Sequence, residues 1–120
     1  MEGLGVGGNF ARIPWVRGQF ISKLSIDPYP GTLNLEIADA EELQKFEWLK
    51  GTPGIEIKPE DPAFCPGRCY RVLIGGKVKG AIVLPMVEDY PQNKMELIAS
   101  QNLKEALAVR VGDIIEVEPF

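Results

Sequence analysis

Two apolar runs joined by the dipeptide Gly75-Gly76 constrain the fold of this chain more than any other feature. The runs read CYRVLI and KVKGAIVLP, and both are rich in the β-branched residues that are typical of strands. Two consecutive glycines suit a tight hairpin turn, because its central residues need positive φ. The sequence therefore predicts an antiparallel strand pair around this turn.

Shorter runs predict the rest of a small β protein. Further strands are expected in the segments GQFISKLSI, TLNLEI, GIEIK, KMELIA and, after a turn, VGDIIEVEPF. One helix is expected over DAEELQKFEWLKG, with Asp39 as its N-cap, Glu42 completing a capping box and Gly51 at its end. Ser100 can cap a second helix, QNLKEALA. Residues 1–120 then form a single domain, a mainly antiparallel barrel with two helices packed outside it.

The composition excludes several classes of chemistry. The chain has no histidine, so Ser-His-Asp and Cys-His mechanisms and histidine-bound metals are excluded. Cys65 and Cys69 are too few for a disulfide framework and supply half the ligands of a thiolate zinc site, so two reduced thiols in a turn are expected. Any chemistry must use carboxylates, amides, hydroxyls, lysine and arginine.

The charge and hydropathy patterns limit the partners. Lysine and arginine number 13 against 17 aspartates and glutamates, a formal net charge of −4, which disfavours sequence-independent binding to nucleic acid. No apolar run approaches the ~20 residues that cross a bilayer, and the first residues do not have the pattern of a signal peptide. We expect a soluble, cytoplasmic protein that binds neither nucleic acid nor a membrane.

The amino-terminal segment GLGVGG formally contains the G-x-G-x-x-G spacing of dinucleotide-binding folds. That motif requires a preceding strand and a following helix, but only Met1 and Glu2 precede the glycines and Pro14 soon follows. A Walker A loop is excluded too, because no Gly-Lys-Ser/Thr follows. An anion-binding nest of unhindered backbone N–H groups and a disordered terminus stay open, and the segment alone favours the latter.

The stretch DPYPGTLNLEI places two polar residues in a strand. A period of two puts Thr32, Asn34 and Glu36 on one face and leaves the leucines for the core. The oxygens of Thr32 and Asn34 can approach a common point and suit Mg²⁺, but both are neutral, so the ion would also need phosphate oxygens. Spacing alone favours the alternative, in which the two side chains hydrogen-bond to each other or across the sheet.

Glu96 lies in an otherwise apolar predicted strand. It either faces solvent or points into a pocket, where it would accept hydrogen bonds from hydroxyl or N–H groups of a ligand. Glu88, Asp89 and Tyr90 fall in a polar loop and carry no individual signal.

Six segments, in their order and spacing, resemble the archaeal CTP-dependent riboflavin kinase family: GLGVGGNF, DPYPGTLNLEI, GAIVLP, MELIAS, LKEAL and VGDIIEVE. The similarity covers nearly the whole chain, and the block P-x-G-T-L-N is its most specific piece. The resemblance implies a small six-stranded barrel of the cradle-loop type. It also implies transfer of the γ-phosphate of CTP to the 5′-hydroxyl of riboflavin, which gives FMN and CDP.

The resemblance further implies a set of site residues. Thr32 and Asn34 would be the Mg²⁺ ligands, and Glu96 matches a glutamate that contacts the flavin. The nucleotide site would be lined by the glycine loop and the start of the second helix, namely Leu4, Gly5, Val6, Gly7, Gly8, Asn9, Gln101, Asn102, Leu103 and Lys104. Phosphoryl transfer depends chiefly on alignment and charge neutralisation, so it does not require histidine. Glu36 and Glu96 are the candidates for a general base.

The chain departs from the family pattern in two places. Members usually carry about one strand ahead of the glycine loop, whereas this chain starts almost on it. Two alternatives follow: a barrel that lacks its first strand, or a start of the sequence that is truncated or misassigned. Glu88 occupies the position at which relatives often have a flavin-contacting threonine, which weakens the expectation of that contact. The alternatives are a non-catalytic flavin or nucleotide sensor domain of a regulator and a swapped-hairpin DNA-binding regulator, which the net charge disfavours.

Overall fold

The computed structural model of the chain describes residues 12–62 and 65–120, which are built around one antiparallel sheet that curls into a half-barrel. Its strands are β1 (Leu33–Glu36), β2 (Ile55–Ile57), β3 (Gly67–Ile74), β4 (Val78–Pro85), β5 (Lys94–Ile98) and β6 (Val117–Pro119). They pair in the order β1-β5-β4-β3-β2, and β6 pairs with the far end of β3. The expectation of a small, mainly β, six-stranded fold is confirmed.

The hairpin of β3 and β4 forms as predicted. Its turn is made by Gly75 and Gly76, whose φ angles are 61° and 64°. The strands pair without interruption from Gly67 opposite Pro85 to Ile74 opposite Val78. Because glycine adopts positive φ at no steric cost, the two glycines allow this tight reversal.

The segment GQFISKLSI, predicted as a strand, is helical instead. Helix α1 (Pro14–Gln19) continues into a π-helical turn, Phe20–Leu24. Proline suits the first helical position, since the N–H of that residue would have no partner in the helix. Val16, Phe20 and Leu24 then recur every fourth residue and form one apolar stripe, and all three side chains are buried.

Two further helices are α2 (Ala40–Lys50) and α3 (Leu103–Leu107), so the described residues form three α-helices rather than two. Asp39 caps α2 as predicted, since its carboxylate accepts a hydrogen bond from the backbone N–H of Glu42 at 3.0 Å. The cap of α3 is Asn102 and not Ser100, because Asn102 Oδ1 accepts from the N–H of Glu105 at 3.2 Å. Asparagine directly before the first helical residue caps as well as serine does.

Apolar side chains cover both faces of the sheet. The first face packs against α1 and the π-helical turn, and the buried residues of this cluster are Val16, Phe20, Leu24, Ile26, Ile57, Cys69, Ala81, Val83 and Ile98. The second face packs against α2 and α3, and its buried residues are Leu33, Phe46, Tyr70, Val72, Ile74, Val78, Ile82, Leu84, Met95, Leu97, Ala99 and Leu103. Within the described ranges, no helix is both long and apolar enough to cross a membrane.

Both thiols are free, as expected, but their positions differ from the prediction. Cys69 lies inside β3 and is completely buried, and Cys65 is buried just before that strand. Burial raises the pKa of the Cys69 thiol to about 12, because the thiolate would lose its hydration. The two cysteines therefore act as core residues.

Candidate functional site

A single row of side chains crosses five strands on the first face of the sheet. The strand register sets each residue opposite the next in the order Ile55, Cys69, Val83, Glu96 and Asn34. The first three are apolar and pack with α1 and the π-helical turn. At Glu96 the row becomes polar, and it ends at Asn34, which is exposed. The candidate site is this polar end of the row.

Strand β1 presents its polar residues on the first face, as the period of two predicts. Asn34 and Glu36 are exposed and Thr32 is half-buried, while the leucines between them pack on the second face. The hydroxyl of Thr32 donates a hydrogen bond to Asn34 Oδ1 at 3.3 Å. Such a contact is what spacing alone favours, and it is longer than the ~2.7–2.8 Å that hydroxyl donors prefer.

The two oxygens in this contact also fit a magnesium ion. Mg²⁺ holds oxygens at about 2.0–2.1 Å in an octahedron, so neighbouring ligand oxygens lie about 2.9 Å apart. The oxygens of Thr32 and Asn34, 3.3 Å apart, would need to approach by only about 0.4 Å. In the ranges 12–62 and 65–120, no group of three or more histidine, cysteine, aspartate or glutamate side chains could hold a metal ion. With hard oxygens at this small separation, the Thr32–Asn34 pair has the chemistry and spacing of two adjacent magnesium ligands.

Glu96 points into the protein rather than into solvent. It is 1% exposed, and its Oε2 accepts a hydrogen bond from the Tyr90 hydroxyl at 2.5 Å. Its Oε1 is buried and has no hydrogen-bond partner among the described residues. Leaving a buried acceptor unsatisfied costs about 1–3 kcal/mol. Glu96 Oε1 is therefore an acceptor whose hydrogen-bonding capacity is unused among the described residues.

Tyr90 lies half-buried in the loop between β4 and β5. Burial raises the pKa of its hydroxyl far above the ordinary value, and the hydrogen bond to Glu96 and the charge of that carboxylate raise it further. The hydroxyl therefore stays protonated and remains a donor at physiological pH. The ammonium group of Lys94 lies 5.5 Å from the centre of the Tyr90 ring, within the range of a cation–π contact.

A cleft of about 460 Å³ opens between β1 and the loop that precedes β5. Its lining residues are Asn34, Leu35, Glu36, Pro91, Asn93 and Lys94. Glu36 and Lys94 lie opposite each other in the paired strands β1 and β5. Glu88 is exposed in the loop that precedes β5. A volume of this size is typical of small-molecule sites, so the cleft has room for a ligand beside Asn34.

The loop before β1 connects the Thr32–Asn34 pair to the start of α3. The backbone N–H of Tyr29 donates to the carbonyl oxygen of Ala99 at 2.8 Å. The Tyr29 hydroxyl accepts a hydrogen bond from Asn102 Nδ2 at 3.3 Å. Asn102, expected at the nucleotide site, therefore contacts the loop that leads into Thr32.

The other residues expected at the nucleotide site fall into two groups. Leu4, Gly5, Val6, Gly7, Gly8 and Asn9 lie outside the described residues. At the start of α3, Gln101 and Lys104 are exposed. Leu103, in contrast, is buried in the second-face cluster, so it can offer a ligand only its backbone.

A second cleft, of about 380 Å³, lies against the loop before β1. Its lining residues are Arg12, Arg17, Asp27, Pro28, Tyr29, Pro30 and Ser100. Arg17 donates two hydrogen bonds to the Asp27 carboxylate, at 2.8 and 3.0 Å, and this contact lowers the pKa of Asp27 and raises that of Arg17. Arg12 is exposed and follows the glycine segment closely in the chain. Because Asp27 balances the charge of Arg17, Arg12 supplies the excess positive charge of this cleft, which suits an anionic ligand.

Sequence reasoning missed three residues of this region: Arg12, Tyr29 and Tyr90. Tyr29 and Tyr90 lie outside the strands and helices, and Arg12 lies just before α1, so no periodicity marks them. The nearness of Arg12 to the glycine segment is the one signal that could have indicated it. The sequence groups Tyr90 with Glu88 in a polar loop, although its hydroxyl contacts a carboxylate six residues further on.

Comparison with known proteins places the chain in a family. The chain matches the model of the CTP-dep_RFKase family, described as domain of unknown function DUF120, over residues 1–118. It is 34% identical over 121 residues to a riboflavin kinase of Methanosarcina barkeri and 38% identical over 120 residues to one of Archaeoglobus fulgidus. It is also 34% identical over 117 residues to a riboflavin kinase of Methanothermobacter thermautotrophicus.

The extent of these matches differs between the relatives. Each covers 98% of this chain, but they cover 53%, 51% and 92% of the respective relatives. The chain thus spans about half the length of the first two and nearly all of the third. Because the family match extends over almost the whole chain, the protein belongs to the CTP-dependent riboflavin kinase family, CTP-dep_RFKase.

Proposed function

We propose that this chain is a riboflavin kinase that transfers the γ-phosphate of CTP to the 5′-hydroxyl of riboflavin, giving FMN and CDP. The observation that carries the proposal is Glu96, a buried carboxylate with one oxygen unpartnered among the described residues. It lies directly opposite Asn34 in the sheet. The names of the relatives support riboflavin as the acceptor, and the name of the family supports CTP as the donor.

Glu96 provides the flavin end of the site. Its Oε1 accepts a hydrogen bond from a hydroxyl or an N–H group of riboflavin, which satisfies the buried acceptor. Riboflavin carries both kinds of donor and no net charge, so the carboxylate does not repel it. The cleft lined by Asn34 and Lys94 has room for the rest of the molecule.

Thr32 and Asn34 would hold the magnesium ion. Their oxygens are hard, neutral donors at a suitable separation, so the phosphate oxygens provide the negative charge that the ion requires. When bound, the ion neutralises charge on the phosphoryl group during its transfer. Opposite residues on paired strands have Cβ atoms about 5 Å apart, so a phosphate held through Asn34 and a flavin held by Glu96 would lie close together. Such proximity is a large part of phosphoryl-transfer catalysis.

The nucleotide would bind where the loop before β1 meets the start of α3. Asn102 and Tyr29 hydrogen-bond to each other there, and Arg12 and Arg17 line the neighbouring cleft. Because Arg17 is paired with Asp27, the guanidinium group of Arg12 is the one that would neutralise phosphate charge, and it can bind two oxygens at once. The resemblance to the family adds the glycine loop, Leu4 to Asn9, to the same site.

The activity is tested by incubating the protein with riboflavin, CTP and Mg²⁺ and measuring FMN by chromatography. We expect FMN to form, and CTP to be a better donor than ATP, GTP or UTP. No FMN with any nucleotide would refute the kinase activity. Binding of FMN or CDP without turnover would indicate the sensor domain instead.

The double variant Thr32→Ala/Asn34→Ala tests the magnesium ligands. FMN formation should fall by about 100-fold or more, since metal stabilisation of the transferred group is worth several kcal/mol. The control Gln44→Ala/Thr52→Ala removes the same two kinds of functional group in and just after α2, and it should keep wild-type activity. Undiminished turnover by Thr32→Ala/Asn34→Ala would defeat the metal assignment and leave the kinase activity standing.

A further inference from the structure

Tyr90 contacts the buried carboxylate of Glu96 but belongs to none of the sites described for substrate, metal or nucleotide. We propose that Tyr90 is a positioning residue, whose hydroxyl orients Glu96 so that Oε1 faces the riboflavin donor group. This inference rests on the proposed function and deepens it. Tyr90 does not touch the substrate in this proposal; it acts through the carboxylate.

The hydrogen bond from Tyr90 fixes the orientation of the Glu96 carboxylate, and with it the direction in which the second oxygen points. The last torsion angle of a glutamate side chain is broad, so an unrestrained carboxylate can turn and exchange its oxygens. The Tyr90 hydroxyl holds Oε2 at 2.5 Å, which leaves Oε1 buried and without a partner among the described residues. Hydroxyl bonds to ionised carboxylates are short and about twice as strong as neutral ones. The carboxylate is thereby fixed before a ligand arrives.

Two backbone turns and one side-chain contact restrain the loop that carries Tyr90. The Tyr90 backbone N–H donates to the carbonyl oxygen of Val87 at 3.4 Å, and the Lys94 N–H donates to that of Pro91 at 3.3 Å. These two turns flank the tyrosine, and the Lys94 ammonium group lies near its ring. Pro91 and Lys94 also line the cleft beside β1, so the loop that carries Tyr90 borders that cleft.

The pair of Tyr90 and Glu96 favours one class of ligand group. The tyrosine proton is used on Oε2, and Oε1 can only accept, so the ligand atom that meets it must carry a hydrogen. A ligand carbonyl or phosphate oxygen at this point would leave two acceptors facing each other, which is strongly unfavourable. The site therefore selects an O–H or N–H group, and both occur in riboflavin.

The variant Tyr90→Phe tests the proposal by removing the hydroxyl alone. The KM for riboflavin should rise about tenfold, equivalent to about 1.4 kcal/mol. The KM for CTP and the rate at saturating riboflavin should change by less than about twofold, because in this proposal Glu96 binds riboflavin and takes no part in the transfer step. A titration of riboflavin fluorescence without nucleotide should show the same weakening. A general loss of structure would not alter riboflavin binding selectively.

The variant Glu96→Gln provides a second arm. A neutral amide replaces the carboxylate acceptor that faces the ligand, so riboflavin binding should weaken even when Tyr90 is present. Adding Tyr90→Phe to Glu96→Gln should then change the riboflavin KM by less than about twofold, since the hydroxyl acts through the lost carboxylate. Tyr70→Phe is the matched control: it removes hydrogen bonds to the carbonyls of Lys50 and Thr52 and should keep the wild-type KM for riboflavin.

Failure of this inference is distinguishable from failure of the proposed function. An unchanged riboflavin KM in Tyr90→Phe, with an active wild type, overturns the inference and leaves the kinase in place. Equal effects of Tyr90→Phe with and without Glu96→Gln also overturn it, because the tyrosine would then act independently of Glu96. If the wild type forms no FMN, the function fails, and the fluorescence titration still decides whether Tyr90 controls riboflavin binding.

Discussion

Replacing Glu96 by methionine should make the protein more stable and abolish its binding of riboflavin. The carboxylate is 1% exposed, lies opposite apolar Val83 and has an unpartnered oxygen among the described residues. Burying a charge costs several kcal/mol of desolvation, which one hydrogen bond does not fully offset. Methionine has a similar length and is apolar, so Glu96→Met keeps the shape and removes the charge.

The size of the effect follows from three contributions. Removing the unsatisfied oxygen stabilises the folded state by about 1–3 kcal/mol, and burying an apolar side chain adds about 1.5–3 kcal/mol. Losing the hydrogen bond from Tyr90 costs about 1.5–3 kcal/mol, although the half-buried hydroxyl regains part of this from water. We expect a net gain of about 1–2 kcal/mol. For 120 residues this corresponds to a rise in Tm of about 4–8 °C.

Urea unfolding measures the free energy, and thermal scans with and without riboflavin measure binding. Riboflavin should raise the Tm of the wild type, because it binds only the folded protein. This shift should be absent in Glu96→Met. The matched control is Glu118→Met, an exposed glutamate of strand β6, which should change stability by less than about 0.5 kcal/mol and keep the riboflavin shift.

Two outcomes would refute the reasoning, and they are independent. Destabilisation by Glu96→Met of more than about 1 kcal/mol would mean that the carboxylate is well satisfied in the folded protein. A retained riboflavin shift would mean that Oε1 does not contact the ligand. The stability change concerns the free protein and the riboflavin shift concerns the complex, so either expectation can be refuted without the other.

Two further predictions concern packing and charge. Gly80→Ala should lower the free energy of unfolding, measured in urea, by about 1–3 kcal/mol. The reason is that its Cβ would stand 2.5 Å from the carbonyl oxygen of Ile98. Gly18→Ala, in α1 with nothing within 4 Å of the added Cβ, should instead stabilise the protein by about 0.5–1 kcal/mol. Arg17 lowers the pKa of Asp27, so this ion pair stabilises the protein at neutral pH and its contribution disappears as the pH falls below about 4. The stability difference between wild type and Asp27→Asn should therefore vanish in acid, and a difference that persists at pH 2.5 would contradict an ionic origin.

The elements that could be predicted from the sequence are those whose signals are local. The Gly75-Gly76 turn and the alternation around Asn34 each depend on neighbouring residues, and both predictions are confirmed. The prediction of a strand at Phe20 is wrong, because the apolar residues of this segment fit either period. Phe20, Leu24 and Ile26 are all buried, as alternate positions of a strand would be, and only packing against the sheet selects the helical spacing from Val16.

The Glu96 environment could not be predicted, because a loop residue and a neighbouring strand form it and no local pattern fixes their positions. Periodicity alone left Glu96 either in solvent or in a pocket. The structure decides between them through Val83 on one neighbouring strand and the Tyr90 hydroxyl from a loop. A loop residue has no periodicity, and a partner strand has no fixed spacing along the sequence, so neither leaves a pattern that can be read in advance.

The geometry of the site is a consequence of apolar packing on the opposite face of the sheet. Leu33 lies opposite Leu97 in the β1–β5 pair, and both belong to the second-face core. A one-residue slip of this pairing would turn every side chain of β1 to the wrong face, so the buried leucines specify the register. The same register sets Asn34 opposite Glu96 on the first face. The separation of the proposed metal ligand and the proposed flavin acceptor along the sheet is thus set by buried leucines on the opposite face.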